Sequence, residues 1–116
     1  LYAANAAGMR VLPGAMAGMP DRPSPHGTVI AAYGDSFTHC DEVPYEECWT
    51  HLVEHALGSR VSNAGVPGYG TDQAYLRYRE TRAALQPDIV ILGLMIGDIK
   101  RNVNVFRTFL SGWTAW

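Results

Sequence analysis

Three short stretches hold the side chains that could do chemistry. In Gly34-Asp35-Ser36-Phe37-Thr38 a serine hydroxyl stands just past an apolar run. Such a hydroxyl is a weak nucleophile until a base takes its proton. In Asn63-Ala64-Gly65-Val66-Pro67-Gly68-Tyr69-Gly70-Thr71-Asp72 the glycines let backbone N–H groups approach a ligand closely. Amides placed that way can bind the negative oxygen of a tetrahedral intermediate. In Met95-Ile96-Gly97-Asp98 a third apolar run breaks on Gly and Asp. Each stretch also reads as an ordinary turn, since Gly, Asp, Asn and Ser all favour turns. The first is not the Gly-x-Ser-x-Gly elbow, because Thr38 stands where the second glycine would be.

The surrounding elements must present these turns together. Thr28-Val29-Ile30-Ala31-Ala32-Tyr33 is apolar and partly β-branched, the pattern of a strand buried on both faces. Residues 46–57 place Trp49, Leu52, Val53, Ala56 and Leu57 on one helical stripe, with Glu46 and Glu47 in the first turn and Gly58 as the stop. Arg60-Val61-Ser62-Asn63 is a second, brief strand. Thr71 or Asp72 caps a helix that runs to about Leu85, and Pro87 ends it. Asp88-Ile89-Val90-Ile91-Leu92-Gly93-Leu94 is the third and most apolar strand, and a last helical segment is expected near 100–110. Residues 1–27 carry Gly or Pro too often for a long element and read as an irregular arm. Strands alternating with helices predict a parallel sheet covered on both faces. In such sheets ligands sit beyond the carboxyl ends of the strands, where the turns at 34–38, 64–71 and 97–102 all fall.

Two of these turns together resemble the blocks of the SGNH (GDSL-type) hydrolase family. GDSFT at 34–38 is similar to its nucleophile block and NAGVPGYGTDQ at 63–73 to its glycine block, in the same order and each after a strand. Asn5-Ala6-Ala7-Gly8-Met9-Arg10 is similar to the arm before the first strand in larger esterase-like members. The resemblance runs from about residue 4 to 107. It implies a flavodoxin-like three-layer α/β/α fold with a parallel sheet, here incomplete at the C-terminus: residues 1–27 as arm, and 28–116 as the N-terminal part of the hydrolase domain. It implies Ser36 as nucleophile and the N–H groups of Ser36 and Gly68 as the oxyanion hole, with Gly34, Asp35 and Asp98 as turn and support residues. The family's third block, Gly-x-Asn-Asp, contributes an Asn donor. Here Asp98 matches its Asp and Gly97 stands in place of its Asn, leaving Asn102 and Asn104 as nearby candidates. The late Asp-x-x-His block that carries the general base has no counterpart, for His26, His39, His51 and His55 all precede Asp98. The expectation is therefore a fragment, inactive by itself, of a serine esterase. The parent would cleave an acyl or acetyl ester of a lipid, sugar or small molecule through an acyl-serine. The alternatives are a non-catalytic module of the same fold that binds a carbohydrate or partner, and an O-acyltransferase. No metal or organic cofactor is implied.

Other signals have blander readings. His51-Leu52-Val53-Glu54-His55 fits the H-x-x-E-H zinc pattern, but on the helical wheel His51, Glu54 and His55 fall opposite the apolar stripe, as an exposed group would. Cys40 and Cys48, eight apart, suit either a disulfide or a buried thiol. His39, three residues past Ser36, reads as a rim residue. Lys100-Arg101 follows the third turn and could meet an anionic substrate group. Tyr75 and Tyr78 read as helix packing, and Tyr69 as a rim residue able to wall a pocket.

Composition limits the remaining classes. The 116 residues are 47% hydrophobic and 17% charged, as expected for one small globular domain. Nine Lys and Arg against eleven Asp and Glu give a formal charge of −2, which disfavours a general nucleic-acid binder. No apolar run approaches the roughly 20 residues that span a bilayer, and the first twenty residues contain no apolar core of a secretory leader.

Overall fold

In the computed structural model, residues 3–12 and 27–103 are described. The elements are β1 (Ala3–Ala4), β2 (Arg10–Val11), β3 (Val29–Tyr33), α1 (Ser36–His39), a 3-10 turn (Tyr45–Glu47), α2 (Trp49–Leu57), β4 (Arg60–Asn63), α3 (Thr71–Leu85), β5 (Ile89–Leu92) and α4 (Ile96–Val103). They form an α/β fold with one five-stranded sheet in the order β1-β2-β4-β3-β5. β3 pairs in parallel with β4 on one side and β5 on the other. The chain steps from β3 through α2 to β4, then back across β3 through α3 to β5. Right-handed crossovers in opposite directions place α2 and α3 on opposite faces. The point of reversal, beyond the carboxyl end of β3, is where open α/β sheets form their ligand crevice.

β3 explains this arrangement. All five of its residues are buried, and Ala31 and Ala32 have no exposed surface. Their small side chains let helices approach the central strand closely. Met9, Ala31, Tyr33, Ala64, Ala74 and Leu85 form the core cluster, with Tyr78 packed against it. The Tyr33 and Tyr78 rings meet edge to face, with centroids 5.6 Å apart.

Several expectations are revised. Within the stretch read as an irregular arm, residues 3–12 form a hairpin that extends the sheet antiparallel beyond β4, pairing Arg10 with Asn63. Asn5 organises its turn by accepting N–H bonds from Ala7 and Met9, both 3.0 Å. The helix expected over 46–57 is interrupted at Cys48, whose ψ of 131° separates the 3-10 turn from α2. The apolar stripe of α2 is not buried as expected: Leu52 is 55% exposed, and Thr50 is the residue of that helix that is buried. β5 was expected to be buried on both faces, yet Ile89, Val90 and Leu92 are each nearly half exposed. It is an edge strand, and no described residue pairs with its outer side. The last helix spans Ile96–Val103, while the rest of the 100–110 segment lies outside the described residues. No helix among the described residues is long and apolar enough to cross a membrane.

One buried hydroxyl links core to helix. The Thr81 hydroxyl donates to the Arg77 carbonyl at 2.8 Å, so the Tyr33 hydroxyl, 2.8 Å from Thr81 Oγ1, is the donor of that pair. Burial pushes the Tyr33 pKa above its ordinary 10.0. A raised pKa means that the fold favours the neutral phenol. The stabilisation is complete below the unfolded pKa and is lost as pH climbs through the folded one. Tyr33→Phe should cost about 0.5–1.5 kcal/mol at neutral pH and flatten the alkaline decline seen in urea denaturation. Parallel wild-type and variant curves above pH 10 would contradict this.

Candidate functional site

Ser36 opens α1 three residues after β3 ends, at the reversal point of the sheet, and is partly exposed. Asp35 holds the turn. It is the N-cap of α1, its Oδ1 accepts the Phe37 N–H at 3.0 Å, and it is 2% exposed. Phe37 next door is 70% exposed. At Gly34 a Cβ would overlap Thr38 Oγ1 and the Gly93 carbonyl, so the first turn can close onto the third only with glycine there.

The glycine-rich turn lies directly against this one. The Val66 N–H donates to the Gly34 carbonyl at 3.0 Å, and the Tyr69 N–H to the Val66 carbonyl at 3.1 Å. Gly68, at the tip, has a φ of +81°. At Gly65 a Cβ would stand 2.5 Å from the His39 nitrogen, so this turn touches the backbone of α1. Buried Asn63 joins the pieces. Its Nδ2 donates to the Thr38 carbonyl at 2.8 Å and to Thr50 Oγ1 at 3.1 Å, and its Oδ1 accepts the Gly65 N–H at 3.0 Å.

The third turn is tied in by charge. Asp98 is 2% exposed, and its Oδ2 accepts the Met95 N–H at 3.0 Å. Arg101 Nη1 reaches Asp98 Oδ1 at 2.7 Å, Asp35 Oδ2 at 2.8 Å and the Tyr69 carbonyl at 3.1 Å. This revises the reading of Arg101 as a contact for a substrate anion, because two carboxylates already engage it. Asn102, on α4, reaches the first turn of α3, where its Oδ1 accepts the Asp72 N–H at 3.4 Å. Asn104 lies outside the described residues.

Cys40 and Cys48 form a disulfide, with Cα atoms 5.6 Å apart. The bond runs from the left-handed C-cap of α1 to the N-cap of α2. Arg10 clamps the same loop through the His39, Cys40 and Val43 carbonyls. The His39 ring lies 2.5 Å from the Asp41 carboxylate. His51, read as exposed, is half-buried against the Tyr45 ring at 4.9 Å, while His55 is exposed. Among the described residues no three His, Cys, Asp or Glu side chains converge. A cleft of about 360 Å³ lined by Tyr78, Arg82, Ala83, Gln86, Pro87 and Val90 lies at the amino end of β5 and includes none of the candidates.

The sequence missed Arg101, Arg10 and Asn63 as organisers. Only Asp98 and Arg101, three apart on one helix, left a local trace.

The chain is similar in structure to two solved structures: AlinE4, described as an SGNH-hydrolase family esterase, and a mutant of that esterase. For each, the TM-score is 0.57 and the identity 26%, over 67% of this chain and 45% of that one. The matched region thus spans less than half the length of those esterases. No family model and no curated protein matches this sequence.

Gly65→Ala should destabilise the protein by about 1–3 kcal/mol, because the new methyl must displace α1, and chemical denaturation would measure it. Wild-type stability would mean that the turn has room to move. Reducing the disulfide should cost about 2–3 kcal/mol for a loop this short, and the thermal midpoint with and without reductant gives the comparison.

Proposed function

We propose that residues 28–116, preceded by the arm at 1–27, are the N-terminal part of an SGNH-type hydrolase domain. The parent protein would be a serine esterase that cleaves an acyl or acetyl ester of a small molecule, lipid or sugar. The observation that carries this reading is the meeting of the GDSFT turn and the glycine turn at the reversal point of a parallel sheet, joined by the Val66–Gly34 hydrogen bond. The likeness to AlinE4 supports it.

In this reading the chemistry is that of the serine esterases which the two turns resemble. The Ser36 hydroxyl loses its proton to a general base as Oγ bonds to the ester carbonyl carbon. The negative oxygen that forms is received by the backbone N–H groups of Ser36 and Gly68, with the Asn102 carboxamide as candidate third donor. Removing one such donor typically costs 10²–10³ in rate. Collapse breaks the bond to the alcohol, which leaves with the proton from the base, and water then hydrolyses the acyl-serine. Asp35 and Asp98 support the turns and do not touch substrate. No His follows Asp98 in this sequence. In this reading the base comes from polypeptide outside these 116 residues, and the 116 alone do not turn over an ester.

The Gly at position 97, where the family's third block has its Asn donor, favours a second reading, a binding module of the same fold. In the intact protein, Ser36→Ala should abolish hydrolysis of a short-chain p-nitrophenyl ester and block labelling by a fluorophosphonate. A Ser36→Ala variant that still labels removes Ser36 from the role. A wild-type protein that folds yet never labels favours the binding module.

A further inference from the structure

We propose that Arg101 is the positioning residue of the site, coupling the turn that carries Ser36 to the turn that carries Gly68. The inference rests on the hydrolase reading only for its catalytic consequence. The coupling itself rests on geometry.

Asp35 and Asp98 each spend one oxygen locally, on the Phe37 and Met95 N–H groups. Their second oxygens converge on one nitrogen, Arg101 Nη1. That nitrogen also reaches the Tyr69 carbonyl, in the residue directly after Gly68. Nη1 carries two hydrogens for three acceptors, so one hydrogen is shared, and a shift of any acceptor loads the others. The side chain is 26% exposed, whereas both carboxylates are 2% exposed. The cation therefore closes the network from the solvent side. Without it, two carboxylates now sheltered from water would lose their shared countercharge and repel each other. The Asp35 turn, and Ser36 with it, would lose its hold on the peptide between Tyr69 and Gly70, in the turn whose tip is Gly68.

A merely structural arginine would change stability. A positioning arginine changes the chemical step when the backbone amide moves relative to the nucleophile, and a displacement of about 1 Å is enough for roughly 10²-fold. It does so without changing how the ground-state ester binds.

The test compares wild type, Arg101→Gln and Arg101→Lys in the intact protein, by steady-state kinetics on p-nitrophenyl acetate and by amide hydrogen exchange. Arg101→Gln should lower kcat about 10²-fold with KM within about twofold. It should also speed exchange in 34–40 and 66–70 together, while β3 and β4 keep their protection. Arg101→Lys keeps the charge without the planar fork and should fall between. Unchanged exchange in both turns, or loosening of one alone, overturns the coupling. If the glutamine variant does not fold, the lysine variant decides by the same readouts. A wild-type protein with no esterase activity would sink the hydrolase reading, and the exchange data would still judge Arg101.

Discussion

The site depends on two carboxylates held out of water and one guanidinium between them. Burying Asp35 and Asp98 costs several kcal/mol each unless the charge is met. Each is met twice, by a backbone N–H and by Arg101. The turns past the ends of β3 and β4 share the Val66–Gly34 backbone bond, and the charge network ties the turn past β5 to both. In the hydrolase reading, the placement of Ser36 thus rests on electrostatics at the rim as well as on backbone bonds and packing.

The same device recurs elsewhere. Turn carbonyls have no strand partner, and a buried one left unpaired is costly. Arg77 donates to the carbonyls of Ala64, Ala7 and Gly8, and Arg10 to those of His39, Cys40 and Val43. The N-terminal hairpin is thus both strand and strap, since it carries Arg10 across to the loop that the disulfide closes. Asn63 performs the neutral version, serving α1, α2 and the glycine turn from the end of β4.

Periodicity and punctuation made β3, β4 and α3 legible within a residue and β5 within two, because each is a single local pattern. The two-residue strands of the hairpin have no period to read. The start of α2 was misplaced because Glu46 and Glu47 suit a helical first turn, while the break comes from Cys48 and its bond to Cys40. A hydrophobic stripe says which face of an element is apolar, not whether anything packs on it, and the exposure of Leu52 and of β5 follows from that gap. At the site, residue types were readable and partners were not. Arg101 and Asp35 are 66 positions apart, with no spacing rule to join them, and none joins Arg77 to the hairpin carbonyls that it reaches.

The outer side of β5 has one more implication. Ile89-Val90-Ile91-Leu92 contains no lysine, proline or bulge to discourage pairing, and among the described residues its outward N–H and C=O groups face no neighbour. Natural sheets rarely leave so apolar a border unguarded, since it is a template on which any extended segment can add itself as the next rung. On the other flank the sheet ends in the two-residue β1, too short to template much pairing, which gives the fold a polarity: blunt on one margin, receptive on the other.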